Sequence, residues 1–212
     1  AALVVVAAAL MILAGCGGSS GGSAAGEGPT FPGGRPEPAK EVGELTLTDH
    51  SRDPAGEPFP MKAPEGELLL VYFGYLSCPD VCPLTMADTV SGLDELEAEE
   101  ADRVTVAFVT VDPARDDPAR IVSYLEHFFP GGGSRALREP DEGALNRVTY
   151  RFGAKWEAEP HQPGDFYAVA HTGDTYVVDD SGRVVWAWPY GTAGDEVATA
   201  IRSLLASTYP PT

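Results

Sequence analysis

The chain has 212 residues, 43% of them hydrophobic, with 14 Lys and Arg against 32 Asp and Glu for a net charge of −18. That length and apolar content support one core-bearing domain with accessory segments. The acidity excludes a nucleic-acid binder and a basic membrane-surface patch, because both need clustered cations to meet phosphate.

From the N-terminus, Leu3 to Ala14 is an apolar stretch shorter than the ~20 residues of a spanning helix. It ends in Leu13-Ala14-Gly15-Cys16. An apolar run before a small-residue site is the form of an export signal, so residues 1–15 read as a signal peptide. The tetrapeptide resembles a bacterial lipobox, which implies that Cys16 is the lipidated first residue of the mature chain. The competing reading is an uncleaved membrane helix. Both place the rest outside the cytoplasm, where disulfides persist. Residues 16–40 are rich in Gly, Ser and Pro and are expected to form a lipid-anchored flexible linker. The folded domain is expected over 41–208.

Glu44 to Thr48 alternates as a strand and begins a small entry hairpin. Leu68 to Tyr75 is an apolar run that predicts the first central strand. It leads into Cys78-Pro79-Asp80-Val81-Cys82-Pro83. Pro83 is expected to open the following helix, since a proline deeper inside would break it. Met86, Val90, Leu93 and Leu96 then recur at helical spacing. Val104 to Val111 predicts a second buried strand. Asp117-Pro118 supplies a cap and first position for a helix carrying Ile121, Val122, Leu125 and Phe128, ended by Gly131-Gly132-Gly133. A further helix is expected over Asp141 to Arg151. Tyr176 to Asp179 and Val184 to Trp188 flank Asp180-Ser181-Gly182 as a hairpin, and Val197, Ile201, Leu204 and Leu205 mark a closing helix. This order predicts an α/β, thioredoxin-like fold: a mixed central sheet with helices on both faces and a small N-terminal entry hairpin.

The chemistry centres on Cys78 and Cys82. Thiols four residues apart meet on one side of a helical turn, close enough for a disulfide or a shared metal. The positive end of a helix favours thiolate there. A structural disulfide closing so short a loop removes little chain entropy, so reactivity is the better account of the pair. Redox exchange and metal binding both remain open. Redox sites of this fold usually carry two residues between the cysteines, and this one carries three. Two soft thiolates need a further ligand to complete a mononuclear site.

Histidine is the natural supplement. His50, His127 and His161 read as surface or structural residues. His171 precedes the Tyr176 strand, in the loop that packs beside the cysteine turn in a thioredoxin-like sheet. A cis-proline occupies that loop in ordinary thioredoxins, but Thr172 to Thr175 contains none. The histidine in its place favours a metal. Asp112 reads as a turn-capping carboxylate at a strand end, with a ligand-orienting role as the alternative. Trp156, Trp186 and Trp188 read as packing, with a docking face as the alternative.

Four segments carry a resemblance: Phe73-Gly74-Tyr75-Leu76-Ser77-Cys78-Pro79-Asp80-Val81-Cys82-Pro83; Val109 to Asp116; Val169-Ala170-His171-Thr172 before Tyr176 to Asp179; and Pro189-Tyr190-Gly191-Thr192. In this order the chain resembles the Sco1/SenC/PrrC family of copper-binding thioredoxin-like proteins. Leu76, Thr172 and the Gly-rich segment 131–134 depart from common relatives without removing a ligand. The resemblance implies that Cys78, Cys82 and His171 ligate copper, as Cu(I) and also Cu(II). It implies a membrane-tethered metallochaperone serving the binuclear copper centre of cytochrome c oxidase. The partners would be the copper-centre subunit or another copper chaperone, at the outside of the bacterial cell membrane. The alternatives are a thiol–disulfide oxidoreductase using Cys78 and Cys82 as its redox pair on the oxidase subunit's cysteines, and a copper or redox sensor. No turnover enzyme is expected beyond that exchange.

Lipidation has a direct check. Cells expressing the protein and fed a labelled fatty acid should yield labelled chain, and Cys16→Ser should abolish the label. Unlabelled protein of full mass would refute the anchor.

Overall fold

The two long apolar runs form adjacent parallel strands inside the sheet. The computed structural model describes residues 31–209; the expected signal peptide, Cys16 and most of the expected linker lie outside the described residues. The entry hairpin is β1 (Thr46–Asp49) and β2 (Glu57–Pro60). Then come β3 (Leu68–Gly74), α1 (Val81–Asp94), the short α2 (Ala98–Ala101), β4 (Val104–Thr110), α3 (Pro118–Phe128), β5 (Ser134–Arg138) and α4 (Glu142–Phe152). The chain continues through β6 (Trp156–Ala158), β7 (Val169–His171), β8 (Thr175–Val178), β9 (Val184–Trp188) and α5 (Gly194–Thr208).

One mixed sheet has the seven-strand order β2-β1-β5-β4-β3-β8-β9, and β6 with β7 forms a separate two-stranded sheet. β3 runs parallel to β4 and antiparallel to β8. With a strand on each side and helices on each face, all seven of its residues are buried, which is why its sequence has no polar break. Successive side chains alternate between the faces. Tyr72 meets Phe108, which in turn meets Tyr124 of α3 at 5.5 Å. Phe73, one residue on, points the other way and meets Phe152 of α4 at 5.2 Å. α1 packs against α5, where Gly92 lies against Val197 and Gly194 against Ser91. Among the described residues no helix is long and apolar enough to cross a membrane.

The predicted cap holds α3, and the first residue of the expected fourth helix caps α4. Asp117 accepts from the Arg120 N–H at 3.0 Å, and Asp141 accepts from the Ala144 N–H at 2.7 Å. Three expectations need correction. First, α1 begins at Val81, capped by Asp80, so Cys82 already lies in the first turn. Pro83 is tolerated there because first-turn N–H groups have no intrahelical acceptor. Second, β5 and the β6–β7 pair, absent from the sequence reading, are real strands. β5 buries Ala136 and Leu137 alone, too brief an apolar signal to read.

Third, residues 31–40 are not free linker. Phe31 packs on Trp186 at 4.8 Å between ring centroids, and the Trp186 indole donates to the Pro32 carbonyl at 3.0 Å. Gly34 and Ala187 exchange both backbone hydrogen bonds at 2.9 Å, and Val184 donates to the Lys40 carbonyl at 2.9 Å. Gly33 has φ +98°, and a Cβ there would sit 2.0 Å from the Ala187 carbonyl oxygen. The segment covers the open edge of β9. It does so mainly through backbone bonds, which a Gly- and Pro-rich composition conceals.

Phe152 is 1% exposed and stacks edge-to-face on Phe73 and Tyr176. Phe152→Ala should cost about 3–5 kcal/mol, lost transfer energy plus a cavity. Urea denaturation checks it; a loss under ~1 kcal/mol would mean this face of the sheet is not close-packed.

Candidate metal centre

β3 stops at Gly74, and the site is built on that stop. A Cβ at Gly74 would lie 2.7 Å from Tyr72 Cε1 and 3.0 Å from both Cys82 Sγ and Phe108 Cε2. Glycine therefore lets the Cys82 sulfur tuck against the end of the strand. The chain turns, with the Cys78 N–H donating to the Tyr75 carbonyl at 3.2 Å. It then enters α1 so that the Cys82 N–H points at Cys78 Sγ from 3.3 Å. Cys82 is fully buried and Cys78 half-buried; the two sulfurs are unbridged.

Beneath the turn lies a carboxylate with no part in the sequence reading. Asp116 is fully buried and accepts from the Leu76 N–H at 3.0 Å and the Thr110 hydroxyl at 2.7 Å. Burial raises its pKa. It ties the end of β4 to the cysteine turn. Its presence in Val109 to Asp116 gave no sign of this, because the acceptor role depends on a turn 40 residues away.

His171 arrives from the other side as the last residue of β7, paired with Trp156 across the small sheet. The hairpin is clamped beside it. Thr172 N–H donates to the Lys155 carbonyl at 2.9 Å, and Lys155 N–H donates to the Thr172 hydroxyl at 3.0 Å. His171 Nδ1 lies 3.1 Å from the Thr172 carbonyl. A carbonyl only accepts, so Nδ1 carries the proton and Nε2 presents its lone pair. Nε2 is 3.5 Å from Cys82 Sγ. The imidazole is held edge-on by Tyr72 and Tyr75, with centroids at 6.0 and 5.7 Å.

Cys78, Cys82 and His171 thus bring one donor atom each to within 4.8 Å of one another, the only such trio among the described residues. Donors bonded at about 2.0–2.3 Å to one ion in a trigonal plane stand ~4 Å apart. The trio fits a small soft ion with little rearrangement. The remaining histidines do not join it. His50 contacts the Pro54 carbonyl, His127 packs on Phe128 at the end of α3, and His161 stacks on Tyr167.

The two thiols divide one proton unequally. Cys82 hydrogen-bonds to the Cys78 sulfur, and the Cys82 and Asp80 backbone N–H groups add to it; together they overcome burial and lower the Cys78 pKa to about 5. Cys82 moves the opposite way: donating to Cys78 favours its protonated form, and burial pushes its pKa up further. The pair at neutral pH is a half-exposed thiolate beside a buried thiol. The Tyr72 hydroxyl is buried next to Cys82 and Thr85, and burial raises its pKa.

Asp112 touches none of the three donors. Its carbonyl accepts from the Arg115 and Asp116 N–H groups as a turn residue. Its buried carboxylate accepts from the Arg115 guanidinium and, at 2.7 Å, from the Tyr167 hydroxyl. Arg115 lies 3.4 Å over the Tyr167 ring and donates to its carbonyl at 2.8 Å. Asp112, Arg115 and Tyr167 thereby fasten the β6–β7 loop to the end of β4, two residues before Val169. Neither Arg115 nor Tyr167 carried a sequence signal. Trp186 and Trp188 are buried packing, whereas Trp156 is only partly covered.

A thioredoxin-like sheet with a Cys–Cys–His trio at the strand exit has the donor set of a metal-binding domain as well as the thiol pair of a redox one. The SCO1/SenC family model matches residues 34–206, and the chain belongs to that family. It is 32% identical over 142 residues to an SCO2-like protein of Rickettsia felis, an alignment covering 66% of this chain and 65% of the relative. The apo Sco1 protein of Thermus thermophilus superposes with a TM-score of 0.68 at 29% identity, covering 84% of this chain and 99% of that one. Bradyrhizobium japonicum ScoI with copper bound superposes with a TM-score of 0.62 at 30% identity, over 75% and 96% of the respective chains.

Alkylation of the reduced protein by iodoacetamide should modify Cys78 first, with a rate midpoint near pH 5. Below that pH the thiolate protonates and the rate falls. Cys82→Ala removes the donated hydrogen bond and should move the midpoint upward. A midpoint in the ordinary thiol range in both proteins would refute the shared-proton picture.

Proposed function

We propose that this chain is a membrane-tethered copper carrier that delivers copper to the binuclear centre of cytochrome c oxidase. The observation that carries this reading is the convergence of Cys78, Cys82 and His171 within 4.8 Å. Two thiolates and one imidazole are soft enough to hold Cu(I) against harder competitors. With Cu(I) the trio carries one net negative charge, and with Cu(II) none, so neither state is barred electrostatically. The copper-bound ScoI relative supports the choice of metal.

Access to the site suits a carrier. Cys78 is partly exposed while Cys82 and the Tyr72 side are sealed. An incoming thiolate therefore reaches the ion from the Cys78 side, and copper passes by ligand exchange without being released. Oxidation of the pair to a disulfide removes both sulfur donors, so delivery is gated by redox state. Lipidation at Cys16, followed by the Gly- and Ser-rich residues after it, gives the domain reach along the outer face of the bacterial membrane.

A second reading is favoured by a specific feature: the depressed pKa of Cys78 beside a buried partner thiol. That is also the equipment of a thiol–disulfide oxidoreductase, with Cys78 attacking and Cys82 resolving. Such an activity would reduce the recipient's cysteines before metal insertion, and it needs no imidazole.

His171→Ala separates the two. Reduced wild-type protein should retain one Cu(I) per chain against a moderate chelator, and His171→Ala should weaken retention by at least about tenfold while leaving disulfide exchange intact. Equal retention by the variant would end the carrier reading. Because Cys78 is already ionised at pH 7 and Cys82 is not, copper loading should release about one thiol proton per ion. Release of two, followed by a pH indicator, would contradict the site's proton assignment.

A further inference from the structure

Behind His171 the molecule carries a second feature that the metal trio does not use. α4, the β6 edge and residues 39–41 enclose an open groove of about 1000 Å³ that extends to His171 and Thr172. Lys40, Arg151 and Lys155 line it, together with Tyr150 and Trp156. The chain has 32 acidic residues to 14 basic ones, so a random patch holds more than two acids per base. The groove inverts that ratio, with three cations against Glu41 and Glu157. It gathers two of the three lysines in the sequence.

These cations have no carboxylate partners of their own. The four ion pairs among the described residues use Arg115, Arg135, Arg183 and Arg202. Arg151 donates only to the Glu41 carbonyl. The aromatic side chains are equally unspent. Tyr150 is 79% exposed on the rim. The Trp156 ring is only partly covered, and its indole N–H has no acceptor within the chain. Tyr, Trp and Arg are the residue types that carry binding energy at protein interfaces.

We propose that this groove seats an extended acidic segment of the protein that exchanges copper with this chain, an inference that rests on the carrier reading above. Carboxylates of the segment meet Lys40, Arg151 and Lys155. An apolar side chain lies on Tyr150 and on the partly covered face of Trp156. The volume stands at the upper end of small-ligand pockets, too large for a single inorganic anion and suited to a short run of peptide. Trp156 is the cross-strand neighbour of His171, so a segment docked there holds the partner beside the metal trio. Elsewhere the acidic surface repels such a segment, which confines docking to this groove.

Calorimetry with the full chain tests it, using the peptide Gly-Asp-Glu-Phe-Glu-Asp-Gly and its Asn/Gln counterpart as probes. The acidic peptide should bind about tenfold or more tightly than the amide version, and the double variant Lys40→Glu, Arg151→Glu should lose at least that factor while keeping wild-type copper retention. Cys78→Ser should lose copper and still bind the peptide, so failure of the carrier reading is seen separately. Equal affinity for both peptides, or undiminished binding by the double variant, would overturn the proposal. Binding of phosphatidylglycerol vesicles that the double variant abolishes, with no peptide binding, would assign the groove to lipid and overturn it as well.

Discussion

Two pieces of backbone with no sequence proximity have to end at one point. Cys82 is placed by the stop of β3 at Gly74, and His171 by the pairing of β6 with β7; 89 residues separate them. The 3.5 Å between Cys82 Sγ and His171 Nε2 is the distance on which the site depends. Neither side chain is free to find the other by moving alone. Cys82 is fully buried at the end of β3 against Gly74, and the imidazole is fixed by Thr172, Tyr72 and Tyr75. The donors are thus organised before any ion arrives, and binding an ion requires little further ordering.

Holding those ends together falls to two buried carboxylates with different tasks. Asp116 supports the cysteine turn from below through Leu76. Asp112 reaches across to Tyr167 and steadies the loop that carries His171. Arg115 covers the Tyr167 ring and bonds both Asp112 and the Tyr167 carbonyl, making one rigid link between β4 and the β6–β7 sheet. Each removes a mode of motion that would separate sulfur from nitrogen. Neither needs to touch an ion to matter to it.

Much of this was legible from residue order, for identifiable reasons. β3 and β4 announce themselves because strands flanked on both sides and covered on both faces tolerate few polar positions. Asp117 caps its helix through a contact three residues long, so local sequence suffices. The cysteine pair and the proline-free loop at His171 are local too. What sequence concealed is what depends on distant partners. The covering segment at 31–40 is held by backbone bonds to β9, which leave no mark on composition. Asp116 and Tyr167 look like any acid and any aromatic until the turn and the carboxylate they meet are in place. Pro83 suggested a helix starting two residues later than it does, because proline fits any position in the first turn and so marks the turn rather than its first residue.

Coordination by the trio is read from X-ray absorption at the copper edge on the reduced, loaded full chain. Two sulfur neighbours and one nitrogen neighbour are expected around the ion, with the nitrogen contribution absent from His171→Ala. A shell of sulfur alone in the wild-type protein, or identical spectra from the two proteins, would contradict it.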